Sequence, residues 1–158
     1  MAADGAAAYL LGEGWVPDIV VTDGDGPLQA IEEAASLGSV TVLYFHGDNY
    51  RLASWLARRL RPLVVSTQCV PPLYLHGAMG VEVLPATGFT DGDRAAWLAA
   101  CCGASRLLLL GMDTRGPSLA GTKPWLRRDA EPGSSKRAKL SIAERLLAPL
   151  MLLGAELP

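Results

Sequence analysis

The sequence predicts an α/β fold, with a doubly wound, mostly parallel sheet in a single domain. Short runs rich in Val, Ile and Leu alternate with longer amphipathic segments, which is the order of repeated β-α-β units. The apolar runs are nearly continuous, as in strands that are buried on both faces of a sheet. The 158 residues, 50% of them hydrophobic, are about the length of one domain.

Each element follows from a local pattern. The predicted strands cover residues 18–22, 40–45, 63–67, 81–84 and 106–111, and the predicted helices cover 27–37, 49–60, 91–102 and 136–153. Pro27 is expected at the first helical position of its helix, where a missing N–H costs little, and Asp48 or Asn49 is expected to cap the next one. Residues 112–135 are rich in Gly, Pro and Ser and predict a long surface loop of the kind that often forms a lid.

Composition narrows the classes of function. The net charge of -2 gives no reason to expect binding to nucleic acid or to an anionic membrane surface. No apolar run approaches the roughly 18 residues of a membrane span, and Asp4 lies where a signal peptide would carry a basic residue, so a cytoplasmic protein is expected. Cys69, Cys101 and Cys102 lack the spacing of a disulfide framework or a zinc site, and buried thiols are expected instead.

Two acidic motifs carry the chemistry. Asp23 and Asp25 directly follow an apolar run, and Asp91 and Asp93 directly precede a predicted helix. The carboxyl ends of parallel strands share one edge of a sheet, so these four carboxylates are expected to face one crevice. Carboxylate oxygens are ligands that Mg²⁺ prefers, with substrate phosphates completing the site. A bound metal is therefore expected at this acidic edge.

Structural roles remain open for the same residues. Asp23 and Asp25 could simply form turns, because Asp and Gly favour them. Thr90 and Asp93 have the spacing of a helix capping box. His46, at a predicted strand end, is more often structural than catalytic in such a position, although the nearby Asp48 favours a functional role.

The remaining candidates lie towards the carboxyl end of the chain. Asp113 follows the predicted strand 106–111 and could merely begin the loop. Lys136 and Lys139 could form a solvated helix face, or they could contact a triphosphate.

At the amino end of the chain, residues 2–6 predict a turn into a helix with almost no strand before it. This suggests an open sheet edge, and a homodimer is expected to cover it.

Several segments together resemble the archaeal 6-hydroxymethyl-7,8-dihydropterin diphosphokinase family, which is similar in fold to the catalytic domains of thiamine pyrophosphokinases. They are residues 3–6, 17–26, 46–49, 67–68, 88–95, 103–104, 111–113 and 136–140. The most specific are Gly-Phe-Thr-Asp-Gly-Asp-Arg at 88–94 and His-Gly-Asp-Asn at 46–49. The resemblance covers nearly the whole chain and implies a thiamine-pyrophosphokinase-like sandwich.

The resemblance implies a reaction and a set of site residues. The reaction is ATP-dependent transfer of diphosphate to the hydroxymethyl group of 6-hydroxymethyl-7,8-dihydropterin, with release of AMP, in methanopterin-type or folate-type cofactor synthesis. Asp23 and Asp25 match the Asp-x-Asp motif associated with Mg²⁺ and nucleotide phosphates, and Asp91 and Asp93 match the second acidic motif. The resemblance therefore implies that these four residues bind the metal and act in catalysis. Binding of ATP or the pterin alcohol is expected at Asp4, His46, Asp48, Asn49, Thr67, Gln68, Thr90, Asp113, Lys136 and Lys139.

The chain departs from the family pattern at two places that matter here. Gly24 stands where the family usually has Leu, and the chain is expected to be a short form without the usual N-terminal region. Three alternatives remain open: a thiamine pyrophosphokinase-like enzyme, a non-catalytic nucleotide-binding protein, and a phosphatase of the haloacid dehalogenase type. The last is suggested by Asp23-x-Asp25, although Pro27 stands where that motif has Thr or Val.

Overall fold

The computed structural model describes residues 1–67, 83–85, 88–112, 133–152 and 155–156, the side chains at 83–85, 152 and 155–156 excepted. The chain divides into two compact units, Met1–Ala86 and Thr87–Pro158. That the chain forms a single domain stays a prediction.

The first unit is built on a parallel sheet. Its strands are β1 (Ala2–Ala3), β2 (Ile19–Thr22), β3 (Val40–Phe45), β4 (Leu63–Thr67) and β5 (Val83–Pro85). They lie side by side in chain order, and every pair is parallel. The predicted α/β fold with a parallel sheet is therefore confirmed. The predicted bounds of β3 and β4 are confirmed, because each is a short segment in which apolar residues predominate.

Three helices connect these strands: α1 (Ala6–Gly12), α2 (Leu28–Ser36) and α3 (Tyr50–Arg59). The prediction that Pro27 is the first helical residue was wrong by one position, because α2 begins at Leu28. Pro27 stands just before the helix with φ −65°, and its carbonyl accepts hydrogen bonds from Ala30 and Ile31. The turn into a helix predicted at residues 2–6, after almost no strand, is confirmed by the two-residue β1 and by α1. The extent of α1 was not predicted, because its short Ala-rich sequence has little amphipathic pattern.

The helices bury one face of the sheet. Ile31 of α2 and Leu56 of α3 pack with Leu43 of β3, and all three are fully buried. Ala7 of α1 packs with Val20 of β2 in the same way. Because β1, β2 and β3 pair in parallel, their carboxyl ends lie at one edge of the unit, where the first predicted acidic motif lies.

The second unit contains α4 (Asp91–Cys101), β6 (Leu107–Leu108), α5 (Ser134–Leu152) and β7 (Ala155–Glu156). Strands β6 and β7 pair in parallel, so the predicted strand 106–111 is correct in place but much shorter. In the core of the second unit, Ala96 of α4 packs with Leu147 and Leu150 of α5. Residues 113–132 of the predicted loop lie outside the described part of the chain, and α5 begins before that loop was expected to end.

The structure describes two of the three cysteines. The prediction of buried thiols was wrong for Cys101 and Cys102, which are exposed because α4 ends there. Cys69 lies outside the described residues. Among the helices that the structure describes, none has the length and apolar character needed to cross a membrane.

Candidate functional site

Three carboxylates meet at the carboxyl edge of the first unit's sheet. Asp4 follows β1, and Asp23 and Asp25 follow β2. One oxygen from each lies within 4.8 Å of the other two. We call Asp4, Asp23 and Asp25 the acidic cluster. Oxygen ligands this close together are suited to a hard divalent cation, so the residues present fit a metal site.

Asp4 is held against the end of β2. Its φ angle of +42° is in the left-handed region, which few residues other than glycine adopt. The hydroxyl of Thr22 donates to Asp4 Oδ1 at 2.7 Å and accepts from the backbone N–H of Gly24 at 2.9 Å. A Cβ at Gly26 would overlap the Asp4 carboxylate, so only glycine allows this approach. Thr22 and Gly26 were not among the predicted site residues, although they directly flank the segment of Asp23 and Asp25.

The pKa of Asp4 reflects this crowding. Burial raises the pKa of the Asp4 carboxyl above its ordinary value. The hydrogen bond from Thr22 opposes that shift, and the neighbouring negative charge of Asp23 adds to it. The acidic cluster is therefore a place where negative charge is concentrated, and a bound cation would relieve the repulsion.

His46 lies between two carboxylates. Its Nε2 is 3.0 Å from Asp23 Oδ2, and its Nδ1 is 2.6 Å from Asp48 Oδ1. The backbone N–H of Asp25 also donates to Asp23 Oδ1, at 3.1 Å. The predicted site residues Asp23, His46 and Asp48 are thus brought together.

These contacts shift three pKa values. Burial alone would lower the pKa of His46, but the hydrogen bonds with Asp23 and Asp48 outweigh it and raise the pKa. Burial alone would raise the pKa of Asp23, but the bonds from His46 and from the Asp25 backbone outweigh it and lower the pKa. The bond from His46 also lowers the pKa of Asp48. These contacts therefore favour the protonated form of the His46 ring and the ionised forms of Asp23 and Asp48.

Asn49 occupies the N-cap position of α3, as one of the two predicted candidates, but its side chain makes no capping hydrogen bond. Its Nδ2 donates to the carbonyl oxygens of Asp23 and Tyr44 at 2.9 and 2.7 Å. Its Oδ1 accepts from the backbone N–H of His46 at 3.1 Å. The Asn49 side chain therefore joins the ends of two neighbouring strands.

The backbone conformation at position 24 favours glycine over the leucine expected from the family resemblance. The φ angle of Gly24 is +90°, a conformation that a leucine would adopt only with strain. A Cβ at this position would also lie 2.7 Å from Leu56 Cδ1, which is part of the core. In this chain, the turn between Asp23 and Asp25 therefore requires glycine.

The second acidic motif begins α4 in the second unit. Asp93 is fully buried, and its Oδ1 accepts from the N–H and hydroxyl of Thr90 at 2.6 and 2.7 Å. Its Oδ2 accepts from the N–H of Phe89 at 3.0 Å. The capping box expected from Thr90 and Asp93 is confirmed. Asp91 pairs with the buried Arg94 at 3.1 Å. This contact was not predicted, because an arginine early in a helix is usually exposed to solvent.

Of the other predicted site residues, the structure describes Thr67, Lys136 and Lys139. Thr67 ends β4 and is partly buried, at the same edge of the sheet as His46. Lys136 and Lys139 lie in the first two turns of α5, where Lys139 is exposed. Gln68 and Asp113 lie outside the described residues. That the second acidic motif shares one crevice with Asp23 and Asp25 stays a prediction.

Comparison with known proteins identifies the family. Residues 1–118 match a family model described as 6-hydroxymethylpterin diphosphokinase MptE-like. The chain belongs to this family, and the resemblance found in the sequence is confirmed.

Relatives with established names support the same assignment. The chain is 42% identical to the 6-hydroxymethyl-7,8-dihydropterin pyrophosphokinase of Pyrococcus furiosus, over 93% of this chain and 59% of the relative. It is 38% identical to the protein of that name from Methanothermobacter thermautotrophicus, over 93% of this chain and 60% of the relative. The Methanocaldococcus jannaschii protein of that name is 36% identical, over 92% and 59%. The chain thus spans about 60% of the length of these relatives.

Proposed function

We propose that this chain transfers diphosphate from ATP to the hydroxymethyl group of 6-hydroxymethyl-7,8-dihydropterin and releases AMP. Two findings support the proposal: membership of the MptE-like family, and relatives of that name at 36 to 42% identity. The observation that carries it to particular residues is the acidic cluster, whose three carboxylate oxygens lie within 4.8 Å of one another. The comparisons do not favour the thiamine, phosphatase or non-catalytic alternatives.

We propose Mg²⁺ as the metal, held by Asp4, Asp23 and Asp25. When bound, Mg²⁺ neutralises charge on the triphosphate and helps to orient it. In the second unit, Asp91 and Asp93 remain proposed ligands from the family's second acidic motif. The hydrogen bonds of Asp93 to Phe89 and Thr90 show that it also has a structural role.

The reaction forms one bond and breaks another. The hydroxymethyl oxygen attacks the β-phosphorus of ATP, and the bond from that phosphorus to the bridging oxygen of the α-phosphate breaks, so that AMP leaves. Positioning and electrostatic stabilisation supply most of the catalysis in such transfers. The hydroxyl proton leaves to a carboxylate or to solvent.

His46 has a charge-balancing role in this proposal. Both of its ring nitrogens are engaged by carboxylates, at 3.0 and 2.6 Å, so neither is available to accept the substrate's proton in this arrangement. Its positive charge instead offsets part of the negative charge that the acidic cluster adds beside an incoming triphosphate. Asp23 is thereby held ionised and in place.

The nucleotide product tests the proposal. Purified chain with Mg²⁺, ATP and the pterin alcohol is expected to form AMP in step with a pterin diphosphate. Mass spectrometry measures both products. Asp23→Asn provides the control for contaminating enzymes. Release of ADP, or of phosphate without an acceptor, would contradict diphosphate transfer, because it reports attack at the terminal phosphorus.

Three surrounding expectations stay predictions. They are a homodimer, which light scattering can measure, a cytoplasmic location, and a product that feeds either a methanopterin-type or a folate-type pathway. The enzyme assay does not depend on any of them.

A further inference from the structure

Asn49 breaks a local rule at the start of α3. An Asn in the N-cap position ordinarily accepts a hydrogen bond from an N–H of the first helical turn. Here the side chain makes no such bond. Its Nδ2 instead donates hydrogen bonds to the carbonyl oxygens of Asp23 and Tyr44, and its Oδ1 accepts one from the backbone N–H of His46. The helix forgoes a side-chain cap, and the sheet edge gains three hydrogen bonds.

These bonds begin where the ladder between β2 and β3 stops. The last paired residues of the two strands are Thr22 and Leu43. One residue further along each strand, the carbonyls of Asp23 and Tyr44 both accept from Asn49 Nδ2, at 2.9 and 2.7 Å. The side chain therefore links the two strands one residue beyond their last paired residues.

We propose that Asn49 is a positioning residue that sets the distance between Asp23 and His46. It holds the backbone of both residues, whose side chains meet at 3.0 Å. This replaces the substrate-binding role expected for Asn49 from the family resemblance. The effect on turnover rests on the proposed function, whereas the effect on local geometry does not.

Two variants separate positioning from folding. Asn49→Ser keeps a residue type that caps helices well but is too short to reach both carbonyls. Asn49→Asp keeps the size and the acceptor oxygen but removes both donors. Gln29→Ser is the matched control, because Gln29 is an exposed amide in the first turn of α2.

The first measurement needs neither metal nor substrate. The chain has two histidines, so the imidazole nitrogen resonances of His46 can be assigned by NMR with a His46→Gln variant. We expect these resonances to shift in Asn49→Ser and Asn49→Asp and to stay unchanged in Gln29→Ser. In the active enzyme, we expect kcat of both Asn49 variants to fall about 10- to 100-fold, the usual cost of losing a residue that orients a ligand. KM for ATP and for the pterin should change little.

The outcomes are distinguishable. Unchanged His46 resonances in both folded Asn49 variants would overturn the proposal, whether or not the protein turns over substrate. A rise in KM with unchanged His46 resonances would also overturn it, because Asn49 would then contact substrate directly. If the wild type forms no AMP, the proposed function fails, and the NMR comparison still decides the role of Asn49.

Discussion

The Nε2 atom of His46 lies 3.0 Å from Oδ2 of Asp23, although 23 residues separate the two in the chain. The second ring nitrogen contacts Asp48 at 2.6 Å. This arrangement ties the turn after β3 to the turn after β2, and it raises the pKa of the His46 ring beside the acidic cluster. Several measurable consequences follow from it and from the neighbouring contacts.

The His46 contacts predict a pH dependence of stability without metal. The pKa of His46 is raised above its usual 6.5, so its stabilising contribution is complete below the unfolded pKa and is lost as pH rises through the folded pKa. The pKa of Asp23 is lowered from 3.8, so its contribution is present above that value and is lost as pH falls through the folded pKa. Asp4, with a raised pKa, acts in the opposite direction on the acidic side.

The alkaline side is therefore the cleaner test, because both carboxylates are ionised there in the unfolded chain. In EDTA, the difference in free energy of unfolding between wild type and His46→Gln should be larger at pH 5.5 than at pH 8.5. Chemical denaturation at the two values measures it. An equal difference at both would show that His46 does not gain stability from its charge. Asp48→Asn should reduce the pH dependence without abolishing it, since Asp23 still contacts the ring.

Thr22→Val is expected to damage the acidic cluster. The change keeps the shape of a fully buried side chain but removes the hydroxyl that donates to Asp4 and accepts from Gly24 N–H. Leaving such groups without a partner costs about 1–3 kcal/mol of stability. Turnover should fall as well, because Asp4 loses the contact that holds it. Urea denaturation and the AMP assay measure the two effects.

Thr41→Val is the matched control for that substitution. Thr41 is also a fully buried strand threonine, but its hydroxyl has no hydrogen-bond partner among the described residues. Replacing an unpaired buried hydroxyl by a methyl group is expected to be neutral or stabilising. Equal losses in the two variants would mean that the Thr22 contacts contribute nothing specific to the acidic cluster.

Asp93→Asn tests whether Asp93 has a role beyond capping. The substitution weakens the acceptors for Phe89 and Thr90, and the loss of a cap costs about 0.5–2 kcal/mol. We expect it also to weaken Mg²⁺ binding and to lower turnover sharply. Thr90→Val disturbs the same capping box without removing a carboxylate. If both variants lose stability and activity to the same extent, Asp93 is only the capping residue of its helix.

Thiamine is expected to be a poor acceptor compared with the pterin alcohol. The chain's family and its relatives' names both indicate a pterin. A site built to hydrogen-bond one heterocycle loses about 1–3 kcal/mol for each buried partner that another heterocycle leaves unpaired. Comparing kcat/KM for the two alcohols measures the preference. Similar values would show that the site does not discriminate by these hydrogen bonds.

Local patterns in the sequence determined much of the fold. Apolar residues predominate in the strands at 40–45 and 63–67, and these strands were predicted with their observed bounds. The capping box of Thr90 and Asp93 depends on residues three apart, so it was also predictable. The position of Asp23 and Asp25 at a strand end followed from the apolar run before them. In each case, the interactions that matter lie within a few residues of the chain.

Only the tertiary structure decided what surrounds the acidic cluster. Thr22 reaches Asp4 across 18 positions, and Asn49 reaches Asp23 across 26. No local pattern indicates which of its possible partners a hydroxyl or amide will choose. That choice depends on the register of β1, β2 and β3, which brings their carboxyl ends together. The carboxylates were therefore predictable from the sequence, whereas strand pairing determined which neighbours hold them and brought His46 into contact with Asp23.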